Sequence, residues 1–276
     1  MPDHQVLYPE RQPATLQLSG VDVSYGNRLA LQNLSISIGH GACVAVVGPN
    51  GAGKSTLFKA LVGLLPIQHG EIHIHGLPLG QHTDCVAYIP QREEVDWRFP
   101  VRVRDVVMMG RFGRLGWWQR PGKADQEVVQ RAMEHMGIAD LANRPIGDLS
   151  GGQQQRAFLA RALAQEPHIL LMDEPFNGVD AATQEVTLNL LEHLHNEQVT
   201  ALVSTHDLNL AAARFEQVLL INRRLVAFGP PEQVFQPENL RAAFGPQVLF
   251  IEGQAVVDEC CPGDEEHTHT HPEVRS

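Results

Sequence analysis

The chain has 276 residues, enough to bury a substantial core and long for one compact domain, so one α/β domain with an embedded or appended subdomain is expected. Its 21 basic residues against 32 acidic ones leave a formal charge of −11, which excludes a nucleic-acid partner held by bulk electrostatics. Residues 1–14 carry no signal-peptide pattern and no apolar run reaches the roughly eighteen residues of a membrane span. The cysteines are Cys43, Cys85, Cys260 and Cys261, and their spacing suggests no disulfide framework, so a reduced cytosolic setting is expected.

Leu16 to Val23 and Leu34 to Ile38 read as strands joined by a turn around Gly26 and Asn27. A further apolar run, Cys43 to Val47, leads into Gly48-Pro49-Asn50-Gly51-Ala52-Gly53-Lys54-Ser55 and then a helical pattern, Ser55 to Leu64. The loop fits G-x-x-x-x-G-K-[ST]. Glycines without a Cβ let backbone N–H groups converge on phosphate oxygens, and the following helix adds its positive end. Lys54 would reach the β/γ-phosphates and the Ser55 hydroxyl would ligate Mg²⁺. A Gly-rich turn matching by chance is the competing reading, and the strand before and the helix after weigh against it.

Glu71 to His75 and Val86 to Ile89 again read as strands, with His69, His73 and His75 taken as surface residues rather than ligands. From residue 91 to 152 the pattern changes. Val103 to Met109 and Lys123 to Met136 show helical spacing around the Gly/Trp-rich stretch 113–122. Strand–helix alternation then resumes, with strands at Ile169 to Met172, Ala201 to Ser204 and Val218 to Ile221 and a helix at Ala181 to Glu197. The expectation is a nucleotide-binding α/β core carrying a helical insert, without internal repeats and with low complexity confined to the last dozen or so residues.

Ile169-Leu-Leu-Met-Asp173-Glu174 is an apolar strand that delivers two acids at its C-terminal edge, where α/β sheets place their chemistry. Asp173 is positioned to hold the Mg²⁺ shell, and Glu174 to polarise a water in line with the γ-phosphate. An ordinary acidic turn before Pro175 is the alternative. Leu149-Ser150-Gly151-Gly152-Gln153 places an N-cap candidate and two glycines at a helix start. It reads either as a plain capping turn or as a second anion site that serves the nucleotide of another copy.

Taken in order over roughly residues 15 to 230, this series resembles the ATPase subunit of an ABC transporter. In that resemblance Gly48 to Thr56 match the Walker A loop, Tyr25 the aromatic that stacks on adenine, and Gln91 the Q-loop glutamine that meets Mg²⁺ and the membrane subunit. Ser150, Gly151, Gly152 and Gln153 fall in the signature motif. Asp173 is the Walker B acid and Glu174 the catalytic base. Asp180 is the D-loop aspartate and His206 the switch histidine. Lys54, Glu174 and His206 would be the catalytic groups, with Ser55, Gln91 and Asp173 around Mg²⁺. The implied fold is a P-loop ABC ATPase core with an N-terminal antiparallel β subdomain and an inserted helical subdomain at about 92–152. The implied boundaries are an extension at 1–14, one ATPase domain at 15–258 and a tail at 259–276.

What the resemblance implies is an ATP-hydrolysing subunit, peripheral on the cytoplasmic face of the inner membrane. Two such subunits close head to tail, as a homodimer, against an integral membrane permease. Pro90 to Trp97, Phe99 to Val101, Asp105 to Arg111, Gly116 to Pro121 and Asp173 to Asp180 resemble the manganese/zinc/iron importer branch, which implies an extracytoplasmic metal-binding protein as well. Arg98, Arg102 and Arg104 make the segment more basic than that branch suggests. Trp97 and Phe99 read either as packing under a loop or as part of a permease-docking face. Other cargo, such as a metal chelate, is a second reading, and a soluble ABC ATPase acting on ribosomes or DNA a third. The short insert and acidic charge weigh against the third.

Cys260-Cys261 and His267, His269 and His271 lie in an acidic tail whose composition suits a solvated segment, while its imidazoles and thiols suit transition metals. If the tail binds metal, the full-length chain takes up more Zn²⁺ or Mn²⁺ in titration than a chain ending at residue 258. Equal uptake by the two removes that reading.

Overall fold

The computed structural model describes residues 14–257 except 27, 82–84, 92–93, 98, 116–118, 246–247 and 252–253. The Cys/His tail, Arg98, Trp117 and Trp118 lie outside the described residues.

An antiparallel sheet opens the chain. Strands β1 (Ala14–Tyr25) and β2 (Arg28–Gly39) form a long hairpin, and β4 (His69–Ile74) and β5 (Leu77–Pro78) extend it in the order β2-β1-β4-β5. The second sheet runs β10-β9-β3-β8-β7-β6, from β3 (Cys43–Val47), β6 (Val86–Ile89), β7 (Ile169–Met172), β8 (Thr200–Thr205), β9 (Gln217–Ile221) and β10 (Leu225–Gly229). All its pairings are parallel except that of the edge strand β10. A hairpin of β11 (Val248–Ile251) and β12 (Gln254–Val257) follows.

Side-chain alternation along the parallel strands sorts the apolar residues into two layers. Val44, Val46, Leu171, Leu202 and Leu219 face the antiparallel sheet and helix α1 (Lys54–Leu61), meeting Leu16, Leu18, Leu31, Leu57 and Phe58. Ala45, Val47, Leu170, Met172, Val203 and Leu220 belong to the opposite layer. That layer takes residues from α2 (Val103–Met108), α3 (Lys123–His135), α4 (Gly151–Ala164), α5 (Ala181–Asn196), α6 (Leu208–Arg214), α7 (Pro231–Val234) and α8 (Pro237–Phe244). Strands buried on both faces read as continuous apolar runs, which is why these were legible. The parallel sheet is thus closed on both sides, and its C-terminal edge, where the chain turns after Val47, Met172 and Thr205, remains the place for polar chemistry.

The mixed α/β architecture agrees with the expectation, and the departures are local. β2 begins six residues before Leu34, and α1 stops at Leu61, where Val62 and Gly63 cap it. The expected helix from Val103 ends at Met108 and tightens into a 3₁₀ turn, Met109–Arg111. The reading of His75 as a surface residue is corrected. It sits half-buried in the β4–β5 turn at φ 51°, with its Nε2 3.0 Å from Nδ1 of His168. Cys43 and Cys85 are both buried and neither is in a disulfide, and burial, with the Glu216 carboxylate second, pushes the Cys43 thiol up to about 12.

Between α2 and α3 one buried cation ties the helical segment together. The Arg111 guanidinium donates to Asp125 (3.0 Å), the Ala164 carbonyl (2.9 Å) and Glu166 (2.8 Å), linking the 3₁₀ turn to α3 and to the end of α4. Removing the cation leaves the Asp125 carboxylate and the Ala164 carbonyl short of partners. Arg111→Ala is expected to lower stability by about 2–3 kcal/mol in urea melts.

Candidate functional site

The Gly48–Thr56 loop leaves the buried end of β3 and turns into α1. Gly51 and Gly53 take φ of 77° and 99°, a region open to glycine at no steric cost. A Cβ on Gly48 would lie 2.2 Å from the Ile221 carbonyl, so that position admits no side chain. The loop is pinned by backbone bonds from Ala52 N to Pro49 O (3.0 Å) and from Arg223 N to Ala52 O (2.8 Å). Asn50 and Gly51 form its exposed crest, while Ala52 and Thr56 are buried and Ser55 is half-buried. Helix α1 has Gly53 as its N-cap and so no side-chain cap, which leaves the first-turn N–H groups at the loop for an anion.

Lys54, only 6% exposed, folds back over the loop and donates to the carbonyls of Gly48 (2.9 Å) and Pro49 (3.4 Å). Its Nζ also lies 3.6 Å from Oε1 of Glu174. The second half of the site comes from the ends of β7 and β8. Asp173 is 1% exposed; its Oδ1 accepts a 2.6 Å bond from the Ser204 hydroxyl, and the Tyr88 hydroxyl lies 3.5 Å from its Oδ2. Ser204 in turn accepts the Glu174 N–H at 2.8 Å. One hydroxyl at the end of β8 therefore fixes two consecutive acids of the neighbouring strand. Burial, and next the Asp173 carboxylate, push the Tyr88 phenol well above its ordinary pKa, so it stays a protonated donor.

Glu174 sits at φ 49°, an uncommon backbone conformation for a non-glycine residue and the only positive φ among the proposed catalytic side chains. Its carboxylate faces Lys54 on one oxygen; the other accepts from the Asn177 amide and lies 3.9 Å from Nδ1 of His206. His206 is itself well exposed. The sequence-predicted Lys54, Asp173, Glu174 and His206 are thus brought together, and Tyr88, Asn177 and Ser204 join them unannounced. Ser204 was signalled only by a hydroxyl ending an apolar strand two residues before His206.

Other predicted residues stand elsewhere. Tyr25 is 49% exposed at the end of β1. Gln91 is half-buried just beyond β6, where its carbonyl accepts Glu94 N at 3.1 Å. Ser150 caps α4 through a reciprocal pair, Gln153 N to its hydroxyl (3.3 Å) and its own N–H to the Gln153 amide oxygen (3.0 Å). Asp180 caps α5 by accepting Thr183 N at 2.7 Å, which holds its carboxyl below the usual range. Gly152 packs so closely here that a Cβ would meet the Thr183 hydroxyl at 2.3 Å. Ser150, Gly151, Gly152 and Asp180 form a second cluster, tied to the first where the Gln155 amide donates to the Pro175 carbonyl. Trp97 packs on Phe158 with ring centroids 4.9 Å apart, whereas Phe99 is 59% exposed.

The sequence profile of the ABC transporter family matches residues 31–177. The manganese transport system ATP-binding protein MntB of Bacillus subtilis (strain 168) is 45% identical over 88% of this chain and 97% of its own. The zinc transport system ATP-binding protein TroB of Treponema pallidum (strain Nichols) is 45% identical over 86% and 91%. The chelated iron transport system membrane protein YfeB of Yersinia pestis is 42% identical over 90% and 85%. Among solved structures, an inward-facing metal-chelate type ABC transporter superposes with a TM-score of 0.74 at 28% identity, covering 88% of this chain and 95% of the other.

Truncating the bridging hydroxyl tests the two-acid arrangement. Ser204→Ala strands the Glu174 N–H and removes a donor from Asp173, at a cost of about 1–3 kcal/mol. Denaturant melts should register that loss.

Proposed function

This chain belongs to the ABC transporter family as an ATP-hydrolysing subunit, and from that premise we propose that it energises import of a transition-metal ion, manganese, zinc or iron, through a membrane permease. The observation that carries the ATPase half is the meeting of Lys54, Asp173, Glu174 and His206 at the C-terminal edge of the parallel sheet. Three relatives named for manganese, zinc and chelated iron, each matched over most of its length, support the cargo class. No described helix is long and apolar enough to cross a membrane, which suits a subunit that docks on a separate permease. The proposed setting is the cytoplasmic face of the membrane, as a homodimer, with a metal-binding protein delivering cargo on the far side.

The loop fits the triphosphate of ATP: glycines that admit no Cβ, uncapped helical N–H groups and the Lys54 ammonium all favour a multiply charged anion. Tyr25 would lie against the base. Ser55, Gln91 and the buried Asp173 offer hydroxyl, amide and carboxylate oxygens, a donor set suited to Mg²⁺. When bound, the ion supplies positive charge against the phosphate oxygens.

The chain's own groups then act by position. Glu174 is held from below by Ser204 and from the side by Asn177, so its carboxylate can orient a water and take its proton as that water attacks the γ-phosphorus. With its phosphate bound, Lys54 would turn from the loop carbonyls toward the β/γ-oxygens. His206, 3.9 Å from Glu174 and exposed, would contact the γ-phosphate and hold the base in line. The second cluster, with Ser150 at a capped helix start, would meet the nucleotide of the partner copy rather than its own.

Glu174→Gln keeps the shape of the site and removes the base, so ATP affinity should persist while kcat falls about 100-fold or more. Equilibrium nucleotide binding beside steady-state turnover checks both halves, and near-normal turnover would remove Glu174 from the role. The cargo is read from the Mn, Zn and Fe content of cells lacking this chain, grown at limiting metal. A deficit in one metal, restored by the wild type and not by Glu174→Gln, is expected; no deficit in any of the three ends the metal reading.

A further inference from the structure

The N-terminal edge of the parallel sheet, the pole opposite the nucleotide loop, carries a second cluster of chemistry-bearing side chains. Cys85 immediately precedes β6 and His168 immediately precedes β7, two strands paired in parallel register with Val86 opposite Ile169. The Cys85 carbonyl accepts both the His168 N–H (2.8 Å) and the Ile169 N–H (3.0 Å), so backbone bonds hold the two residues side by side. His75 reaches them from the β4–β5 turn, its ring edge-on to that of His168 with centroids 5.0 Å apart. The ligating atoms of His75, Cys85 and His168 all lie within 4.8 Å of one another. His40, in the turn between β2 and β3, presents its ring edge-on 6.5 Å from His75.

We propose that His75, Cys85 and His168 form a binding site for a zinc-class divalent ion, with the fourth position open on the side of His40. The donors are one thiol and two imidazoles, the set that Zn²⁺ and Co²⁺ prefer and that an oxygen-seeking ion such as Mn²⁺ does not. Tetrahedral Zn²⁺ spaces such donors about 3.5 Å apart. The His75–His168 nitrogens, now 3.0 Å apart, would part slightly as the three donors, all within 4.8 Å of one another, settle around the ion. Cys85 is 7% exposed, so the bound ion would be shielded, and binding releases the thiol proton to solvent.

The site's position gives it a consequence. Its ligands come from both sheets: His75 from the antiparallel hairpin, Cys85 and His168 from the starts of two parallel strands. Occupancy clips the β4–β5 turn onto the core. Ile169 begins β7 and Asp173 follows its last residue, about 13 Å further along, so the ion is separate from any Mg²⁺ beside Asp173. This inference does not rest on the transport reading, because metal uptake by cells and metal binding by the isolated chain are measured independently.

The test uses the full chain with Cys260→Ser and Cys261→Ser, so that Cys85 is the thiol in question outside the buried Cys43. Zn²⁺ is titrated against a chelator, Co²⁺ is followed by its thiolate charge-transfer absorption, and thermal midpoints are recorded with and without Zn²⁺. The parent is expected to bind Zn²⁺, show the Co²⁺–thiolate band and melt higher with the metal, while Mn²⁺ produces neither change. Cys85→Ala and His75→Asn are each expected to bind one equivalent fewer and to lose the band and the thermal shift. Asparagine tolerates the positive φ of residue 75, so that variant keeps the turn should Cys85→Ala fold poorly. Absence of zinc binding in the parent, or an unchanged zinc equivalent and band in the variants, overturns the site.

Discussion

Burying the Asp173 carboxylate is unfavourable unless charge and hydrogen bonds compensate, and the C-terminal edge of the parallel sheet is arranged around that requirement. The Ser204 hydroxyl can satisfy one oxygen because β7 and β8 are adjacent and in parallel register, which sets the end of one strand beside the end of the other. The same hydroxyl then has a lone pair for the Glu174 N–H, and this bond supports the left-handed backbone at Glu174. That conformation turns the Glu174 side chain toward Lys54 and His206 rather than along the strand. A single buried charge thus accounts for the hydroxyl at 204, the backbone at 174 and, through it, which groups surround the Glu174 carboxylate.

Much of this was legible in the sequence because the strands are buried on both faces and so appear as unbroken apolar runs that end in polar residues. Val47, Met172 and Ser204 each mark such an end, and Lys54, Asp173, Glu174 and His206 follow from them. Ser150 was legible as an N-cap for a local reason, since the N–H it accepts, that of Gln153, lies within one turn. What escaped depends on contacts between distant segments. Tyr88 is 85 residues from Asp173 and reads as an ordinary strand aromatic, and Ser204 reads as a strand residue. β10 and α8 are half-buried or short, and β5 has only two residues, so none carries a clear period.

His75 shows the same limit from the other direction. Among polar neighbours in an exposed hairpin, a histidine gives no local sign of burial. Only the long-range pairing that lays β4 along β1, and the core strands beneath, brings it to Cys85 and His168. The two edges of one parallel sheet consequently hold different chemistry: oxygen donors and an ammonium at the C-terminal edge, imidazoles and a thiol at the N-terminal edge.

A transporter subunit must also pass motion between its helical segment and its catalytic edge, and contiguous contacts span that gap. Phe99 is exposed beside Trp97, which packs on Phe158 of α4. On the same helix Arg161 stacks over Phe158 at 4.4 Å and donates to the Tyr88 carbonyl at 3.3 Å, while the Tyr88 hydroxyl faces Asp173. Gln155, also on α4, donates to the Pro175 carbonyl next to Glu174, and Ser150 caps the start of that helix. Because α4 contacts Pro175 beside Glu174 and Tyr88 against Asp173, a shift of this one helix would carry Ser150 and the surroundings of both acids together. On the proposed transport reading, a permease pressing near Phe99 would act on a single lever, with Ser150 at one arm and Glu174 at the other.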